Sequence, residues 1–414
     1  MRCRHLFSRL LSAIGILVLC LQASSSFAVP SFARQTGLQC SSCHTAYPQL
    51  NAFGREFKIH GYTLIGGDMS KVNNSGFSPL ATAPLSMMIQ TNWSELKKAP
   101  DADTDNSQVK LPSQLSLFYA GRITDKLGAF AQITAEQGES FSQDNTDIRY
   151  ADQTELGGMP LSYGVSLNNS PTVQDPWNST PVWSFPWFEA GYDYAFPDTL
   201  ISSLGGSVAG MTAYGFWDEH FYGEAGAYQS ANTDGARTGE AIKNNAPYWR
   251  FAYTANAGEF NWMVGTFGMD ATVYDPTEQG QGITDIALDS QLQWMLNNDQ
   301  TLTVDASYIH ESQPHSEHLA NSMLNATWYF DHTFGATVGY RGTTSSSHAL
   351  APDDDYRWFD AGDLGATAYQ MQLDYMPWLN TRFALQYTVY SKVDGTSHHA
   401  SDANQLMLGG WVVF

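Results

Sequence analysis

Cysteine is scarce in this chain of 414 residues, which holds only four. Two of them, Cys3 and Cys20, fall in an N-terminus built like a secretory leader: basic Arg2, Arg4 and Arg9, an apolar run from Leu10 to Leu21, and the small-residue exit Ser26-Phe27-Ala28. Cys20 is read as an ordinary leader residue, because Leu19 stands where a lipidated cysteine needs a small neighbour. Removal of residues 1–28 leaves Cys40 and Cys43 as the only thiols. One close pair in an exported chain is not a disulfide scaffold. Long apolar runs are missing as well. The leader's run is too short to cross a bilayer as a helix, and no later stretch approaches about 18 uninterrupted apolar residues. Basic charge is also thin. The 20 basic residues fall to 17 without the leader arginines, against 41 acidic ones, a net charge of −24 for a chain beginning at Val29. That balance argues against nucleic acid and favours cations or basic partners.

The composition changes near residue 80. From Val29 the chain holds the cysteine pair, a basic-aromatic stretch Phe53-Gly54-Arg55-Glu56-Phe57-Lys58, and a linker from Gly66 to Ser78 rich in glycine, asparagine and serine. This divides the chain into a leader (1–28), a small N-terminal segment (29–78) and a long remainder (79–414). The remainder reads as short alternating strands between polar loops. In Thr284–Trp294, Ile286, Leu288, Leu292 and Trp294 share one face, opposite Asp285, Asp289, Gln291 and Gln293. In Thr301–His310, Leu302, Val304, Ala306 and Tyr308 oppose Thr301, Thr303, Asp305 and Ser307. Similar patterns occupy Tyr248–Thr254, Phe260–Gly268, Ala366–Tyr375, Phe383–Tyr390 and Leu406–Phe414.

Such runs suit either a soluble solenoid, sandwich or propeller, or a membrane barrel. Their length, about 9–12 residues, favours a tilted crossing of the hydrocarbon layer. Aromatics near strand ends, Trp262, Tyr308, Trp328, Tyr340, Tyr375 and Trp411, resemble interfacial girdles. No repeat of blade or solenoid length is evident. The chain also stops on an alternating strand that ends in Phe414, like the signal by which outer-membrane barrels are recognised for insertion. The expected fold is all-β: an outer-membrane β-barrel of roughly 16 antiparallel strands, the even number such barrels favour, bounded by outer-membrane lipid.

Cys40-Ser41-Ser42-Cys43-His44 has the spacing of a haem c attachment site: two thiols to add to the vinyl groups, and a histidine placed to reach the iron. A zinc site wants four ligands. A redox Cys-x-x-Cys wants a βαβ context, and a plain disulfide would not need His44. Cys40 and Cys43 are therefore the expected covalent attachment points of one haem, and His44 the expected axial ligand. Candidates for the sixth position are His60, Met69 in the linker, and Met87 or Met88 at the first strand, with an open, solvent-occupied position as the remaining option. Roughly 50 residues cannot wrap a haem and build a core of their own. The segment 29–78 is accordingly expected to sit in or over the periplasmic mouth of the barrel as a mainly helical and loop-like plug.

The stretch Pro30 to Gly37, the Cys40–His44 motif, Tyr47-Pro48-Gln49-Leu50, Phe53 to Lys58 and Gly61-Tyr62 together resemble the N-terminus of the fused outer-membrane monohaem cytochrome-porins. Members of that family in iron-oxidising bacteria are regarded as outer-membrane iron oxidases. The resemblance covers residues 30–62; over the barrel it is one of architecture and length. It implies an electron conduit across the outer membrane, with Cys40, Cys43 and His44 as the haem residues. His60 falls where the family pattern does not ask for histidine. Arg34, Arg55, Phe53 and Phe57 are read either as haem partners or as anchors of the plug to the barrel wall.

The resulting expectation is transfer of one electron from extracellular Fe(II) through the haem to a periplasmic c-type cytochrome, an iron:cytochrome c oxidoreduction if it is classed as an enzyme. Acidic runs at Asp101–Asp105, Asp144–Glu155 and Asp353–Asp355, with Asp360 and Asp363, are read as loops that could concentrate cations. A redox-gated porin and electron export to an outside acceptor are the alternatives. No nucleophile-base constellation for an organic substrate is legible.

Overall fold

The computed structural model describes residues 31–46, 48–64, 84–99, 105–183, 186–188, 196–231, 242–273, 280–297, 299–346, 365–378 and 380–414. The leader, Met69, the Gly66–Ser78 linker, residues 101–104, and Asp353–Asp355 with Asp360 and Asp363 lie outside the described residues.

The chain forms a closed antiparallel barrel of 16 long strands. They are β1 (Leu85–Leu96), β2 (Ser107–Arg122), β3 (Leu127–Ala135), β4 (Ser142–Leu156), β5 (Met159–Asn168), β6 (Val208–Trp217), β7 (Phe221–Ser230), β8 (Ala246–Ala257), β9 (Phe260–Val273), β10 (Gln281–Asn297), β11 (Gln300–Ser312), β12 (His318–Phe330), β13 (Phe334–Ser345), β14 (Ala366–Trp378), β15 (Thr381–Lys392) and β16 (Gln405–Val413). A further bridge of two residues, Ile242–Lys243, pairs with the end of β9. The last strand closes on the first, with Gln405 opposite Leu96 and Val413 opposite Met88. Closure pairs every strand on both edges, which is how a sheet can satisfy its backbone in lipid.

The alternation runs apolar outward and polar inward. In β10, Ile286 and Leu288 are 54% and 61% exposed while Asp285, Asp289, Gln291 and Gln293 are buried in the lumen. One end of the barrel carries tight turns. Gly157 and Gly158, between β4 and β5, have φ of 67° and 80°, the left-handed pair that a two-residue hairpin requires. Near that end Trp328, Phe330, Phe334, Tyr375 and Phe383 face outward as an aromatic belt. The opposite end carries the long connections.

Two sequence readings are corrected here. Trp411 does not belong to the girdle: Gln405, Met407, Trp411 and Val413 point inward, and Trp411 meets Phe188 edge-to-face at 6.2 Å. It is Leu408, Val412 and Phe414 that face out. Asp144–Glu155 is not a loop but most of β4. Alternation drives Asp147 and Arg149 into the lumen, where they pair at 2.7 Å.

The N-terminal segment lies inside the barrel at the tight-turn end. It comprises α1 (Ser31–Thr36), α2 (Cys40–Cys43), a small hairpin of His44–Ala46 with Gln49–Leu50, and α3 (Ala52–Ile59). His332, in the turn between β12 and β13, donates through Nδ1 to the Thr45 carbonyl at 2.6 Å. The described parts of the connection between β5 and β6, residues 169–183, 186–188 and 196–207, also turn inward from the other end. Val173, Gln174, Asp175 and Trp177 are buried, and α4 (Leu200–Ser203) rests its first amides on Glu311 and Asp285. Arg250 on β8 pins this inner loop to the wall by bridging Asp175 at 3.1 Å and Asp289 at 2.7 Å.

Candidate functional site

The site begins with local geometry. Cys40 and Cys43 stand one helical turn apart, so their side chains share a face of α2. His44 leaves the helix in extended conformation, φ −119° and ψ 131°, and opens the hairpin. Its Nδ1 is 2.9 Å from the Pro48 carbonyl. A carbonyl only accepts, so Nδ1 carries the proton, and the ring is held by backbone hydrogen bonds at Pro48 and Gln49, as metal-binding histidines commonly are. Burial holds the ring neutral, pushing its pKa down to about 4.

Asn51 clasps this unit together. Its side-chain oxygen caps α3 by accepting from Gly54 N at 2.9 Å, while its Nδ2 donates to Ser42 O at 3.1 Å and its own amide donates to Cys43 O at 2.9 Å. Gly54 is required there, since a Cβ would overlap the Cys43 carbonyl.

Burial raises both thiols, Cys43 to about 11, the opposite direction from the lowered thiols of exchange-active motifs. Among the described residues, no group of three or more metal-ligating side chains forms a cation site.

Cys40, Cys43 and His44 line one cavity of about 460 Å³, bounded by the plug, the inner loop and the barrel wall. Its volume is that of an ordinary cofactor pocket. The walls are rich in apolar groups: Phe32 and Phe57 from the plug, Phe118, Phe130 and Trp411 from the barrel, Trp183 and Trp187 from the inner loop. A hydrophobic planar group tethered to both thiols fits this lining. A second, narrower cleft sets Cys40 and His44 against Trp378 and Thr381 at the tight-turn rim.

Around the cavity the plug is bolted to its surroundings. Arg55 donates to Gln291 at 2.8 Å, to Gln293 at 2.9 Å and to Asn261. Lys58 gives its ammonium to Val173 O, Asp175 O and Asn178 Oδ1 at 2.8, 2.6 and 2.8 Å, with the Trp183 ring 4.5 Å away. Burial and the neighbouring Arg149 push the Lys58 pKa down to about 7. Tyr62 donates to Asp147 at 2.6 Å, and Arg149 reaches Lys58 O and Gln174 O, both at 2.8 Å. Plug, wall and inner loop thus share one buried polar network.

The structure sorts the sequence candidates. Cys40, Cys43 and His44 come together. His60 does not join them: its Nε2 lies 3.0 Å from Ser162 Oγ and 2.9 Å from Gln153 Nε2, at the wall between β4 and β5, outside the cavity lining. Met87 and Met88 alternate on β1, and it is Met88 that lines the cavity. Phe57 lines the cavity, packed against Phe32 at 5.2 Å, while Phe53 is exposed. Arg55 is a wall anchor, and Arg34 reaches the Leu85 carbonyl. Sequence reasoning missed the inner loop, Arg149 and Arg250. The one available signal was a charged residue in phase with the polar face of a strand.

No protein-family model matches the chain, and no curated protein does. Among solved structures, OmpF of Salmonella typhi, solved with daunomycin, is similar at 15% identity with a TM-score of 0.52, over 80% of this chain and 97% of that one. An anion-selective porin from Comamonas acidovorans aligns at 11% identity and TM-score 0.49, over 80% and 98%. OmpT of Vibrio cholerae, in a loop-deletion form, aligns at 12% and 0.47 over 80% and 98%. The fold is that of the bacterial outer-membrane porins.

Proposed function

We propose that this protein is an outer-membrane electron conduit carrying one covalent haem c on Cys40, Cys43 and His44, which takes electrons from an extracellular donor, Fe(II), and passes them to a periplasmic c-type cytochrome. The observation that carries the reading is the juxtaposition of both thiols and a pre-oriented neutral histidine in one apolar cavity inside a lipid-facing barrel. The haem supplies the one-electron redox change. The chain supplies the rest. Cys40 and Cys43 would hold the group covalently, His44 would reach its iron, and the aromatic walls would shelter it. Arg55 and Lys58 hold the plug still.

Tight turns mark the periplasmic end of such barrels. The plug therefore sits at the periplasmic mouth, and the cleft beside Trp378 and Thr381 is where a soluble cytochrome would approach the attachment site. On the outer side, the inner loop with Trp183 and Trp187 lines the cavity, so a donor on that side would give its electron to the haem across this loop.

The test is to produce the protein with haem-attachment machinery and add Fe(II) anaerobically to the oxidised form. A reduced c-type spectrum in the wild type, with no covalent haem in Cys43→Ala, is the expected result. Absence of reduction from acidic to neutral pH overturns the reading. The porin fold favours a second reading, a channel gated by the plug. A single-channel conductance that changes with the redox state of the plug would support it.

A further inference from the structure

We infer that Met88, a residue of the barrel wall, supplies the second axial ligand to the iron of a haem held at Cys40, Cys43 and His44; the inference rests on the haem reading above and adds the residue that completes the coordination. Met88 belongs to β1 and not to the plug. It is buried and lines the cavity together with both thiols and His44. Among the described residues of that lining, His44 is the one histidine and Met88 the one methionine. Other donors there are committed: Lys58 spends its ammonium on three oxygens, and Tyr62 gives its hydroxyl to Asp147.

The wall also orients the sulfur. Gln90 Nε2 donates to Met88 Sδ at 3.7 Å and to Gln114 Oε1 at 2.7 Å, and Gln114 donates onward to Ser116 at 3.2 Å. Ser116 in turn meets Thr134 at 2.7 Å. This row of lumen-facing side chains on β1, β2 and β3 fixes one side of the thioether, and the sulfur keeps a second lone pair for a metal, as supporting shells do for ligands generally. Two consequences follow. Ligation from the wall makes the haem a staple between plug and barrel. Sulfur ligation also raises the reduction potential relative to a second histidine, which suits acceptance of electrons from a weak reductant.

The test uses the full-length haem-loaded protein in detergent, as wild type, Met88→Leu, Met88→His and Met69→Leu. Covalent haem is read by peroxidase stain on denaturing gels, and axial ligation by near-infrared magnetic circular dichroism with a redox titration. The wild type and Met69→Leu should show the methionine-sulfur signature. Met88→Leu should keep its covalent haem, lose that signature and shift to a lower midpoint. Met88→His should become low-spin with two nitrogen ligands and a midpoint lower than the wild type. A wild-type spectrum without sulfur ligation overturns the inference even if Met88→Leu fails to assemble. So does a signature that survives in Met88→Leu or vanishes in Met69→Leu. Wild-type protein with no haem on the gel overturns the haem reading itself, which the stain reports separately from the ligation spectrum.

Discussion

Two walls of the same lumen are built differently. The wall formed by β16, β1, β2 and β3 turns Met407, Trp411, Val413, Met88, Phe118 and Phe130 inward, an apolar cluster joined by Phe32 of the plug and Phe188 of the inner loop. The wall formed by β8 to β11 turns Arg250, Asp285, Asp289, Gln291, Gln293 and Asp305 inward. A water-filled porin has polar groups on its interior face, and both walls keep some: the first carries the row Gln90, Gln114, Ser116 and Thr134 beside its apolar cluster, while the second gathers the charged groups and packs Phe267, Met269 and Ile309 among them. The polar wall grips: Arg55 and the inner loop are tied to it by hydrogen bonds and ion pairs. The apolar wall shelters: it faces the cavity that both thiols and His44 line. One barrel therefore combines an anchoring side and a pocket side, and the plug sits between them.

The largest effect should come from the pocket's tether. Cys43→Ala is expected to abolish covalent haem, read by stain on a denaturing gel, while leaving the heat-modifiable migration of the folded barrel unchanged. A barrel that fails to fold without the tether would break the comparison, because the walls would then depend on the cofactor. On the polar side, Arg250→Met removes the common partner of Asp175 and Asp289. Leaving buried charges uncompensated costs about 3–5 kcal/mol, visible as a lower urea midpoint and earlier proteolysis of the inner loop.

On the apolar side, Trp411→Ala should cost about 3 kcal/mol, the lower end for a buried aromatic, because Trp411 already borders a cavity. Its effect on the urea midpoint should be larger in haem-loaded than in haem-free protein, whereas that of Arg250→Met should be the same in both. The smallest effect is a pH dependence. Folded Lys58, with its pKa near 7, sheds a proton that an unfolded lysine keeps up to about 10.4. The unfolded state binds more protons across that window, so stability of the docked plug rises with pH between these values. Proteolytic protection of α3 should increase over that range in the wild type and stay flat in Lys58→Met.

Much of this was legible before folding. Strict alternation in Thr284–Trp294 and Thr301–His310 located β10 and β11 and separated their faces, because lipid outside and polar lumen inside impose opposite demands on neighbouring residues. The spacing of Cys40, Cys43 and His44 pointed to a shared site because it is local. What stayed hidden depends on closure. Arg55 meets Gln291 and Gln293 only once β16 closes on β1 and the plug is inside. Trp411 reads as an interfacial aromatic until its register turns it inward. The charges of Asp144–Glu155 look like those of a solvated loop, since Asp147 and Arg149 become a buried pair only through alternation on β4. His60 drew notice as a histidine downstream of the motif, yet α3 carries it to Ser162 and Gln153 instead.

The proposed function requires an electron to cross this barrel without the donor crossing with it. The most direct measurement seals an oxidised soluble c-type cytochrome inside liposomes that hold the haem-loaded protein, adds Fe(II) outside without oxygen, and follows the enclosed cytochrome's spectrum. The account predicts reduction of the enclosed cytochrome with wild-type protein, none with Cys43→Ala, and no entry of iron as reported by an enclosed Fe(II) chelator. Reduction that appears only together with entry of iron, or no reduction at all, would contradict it.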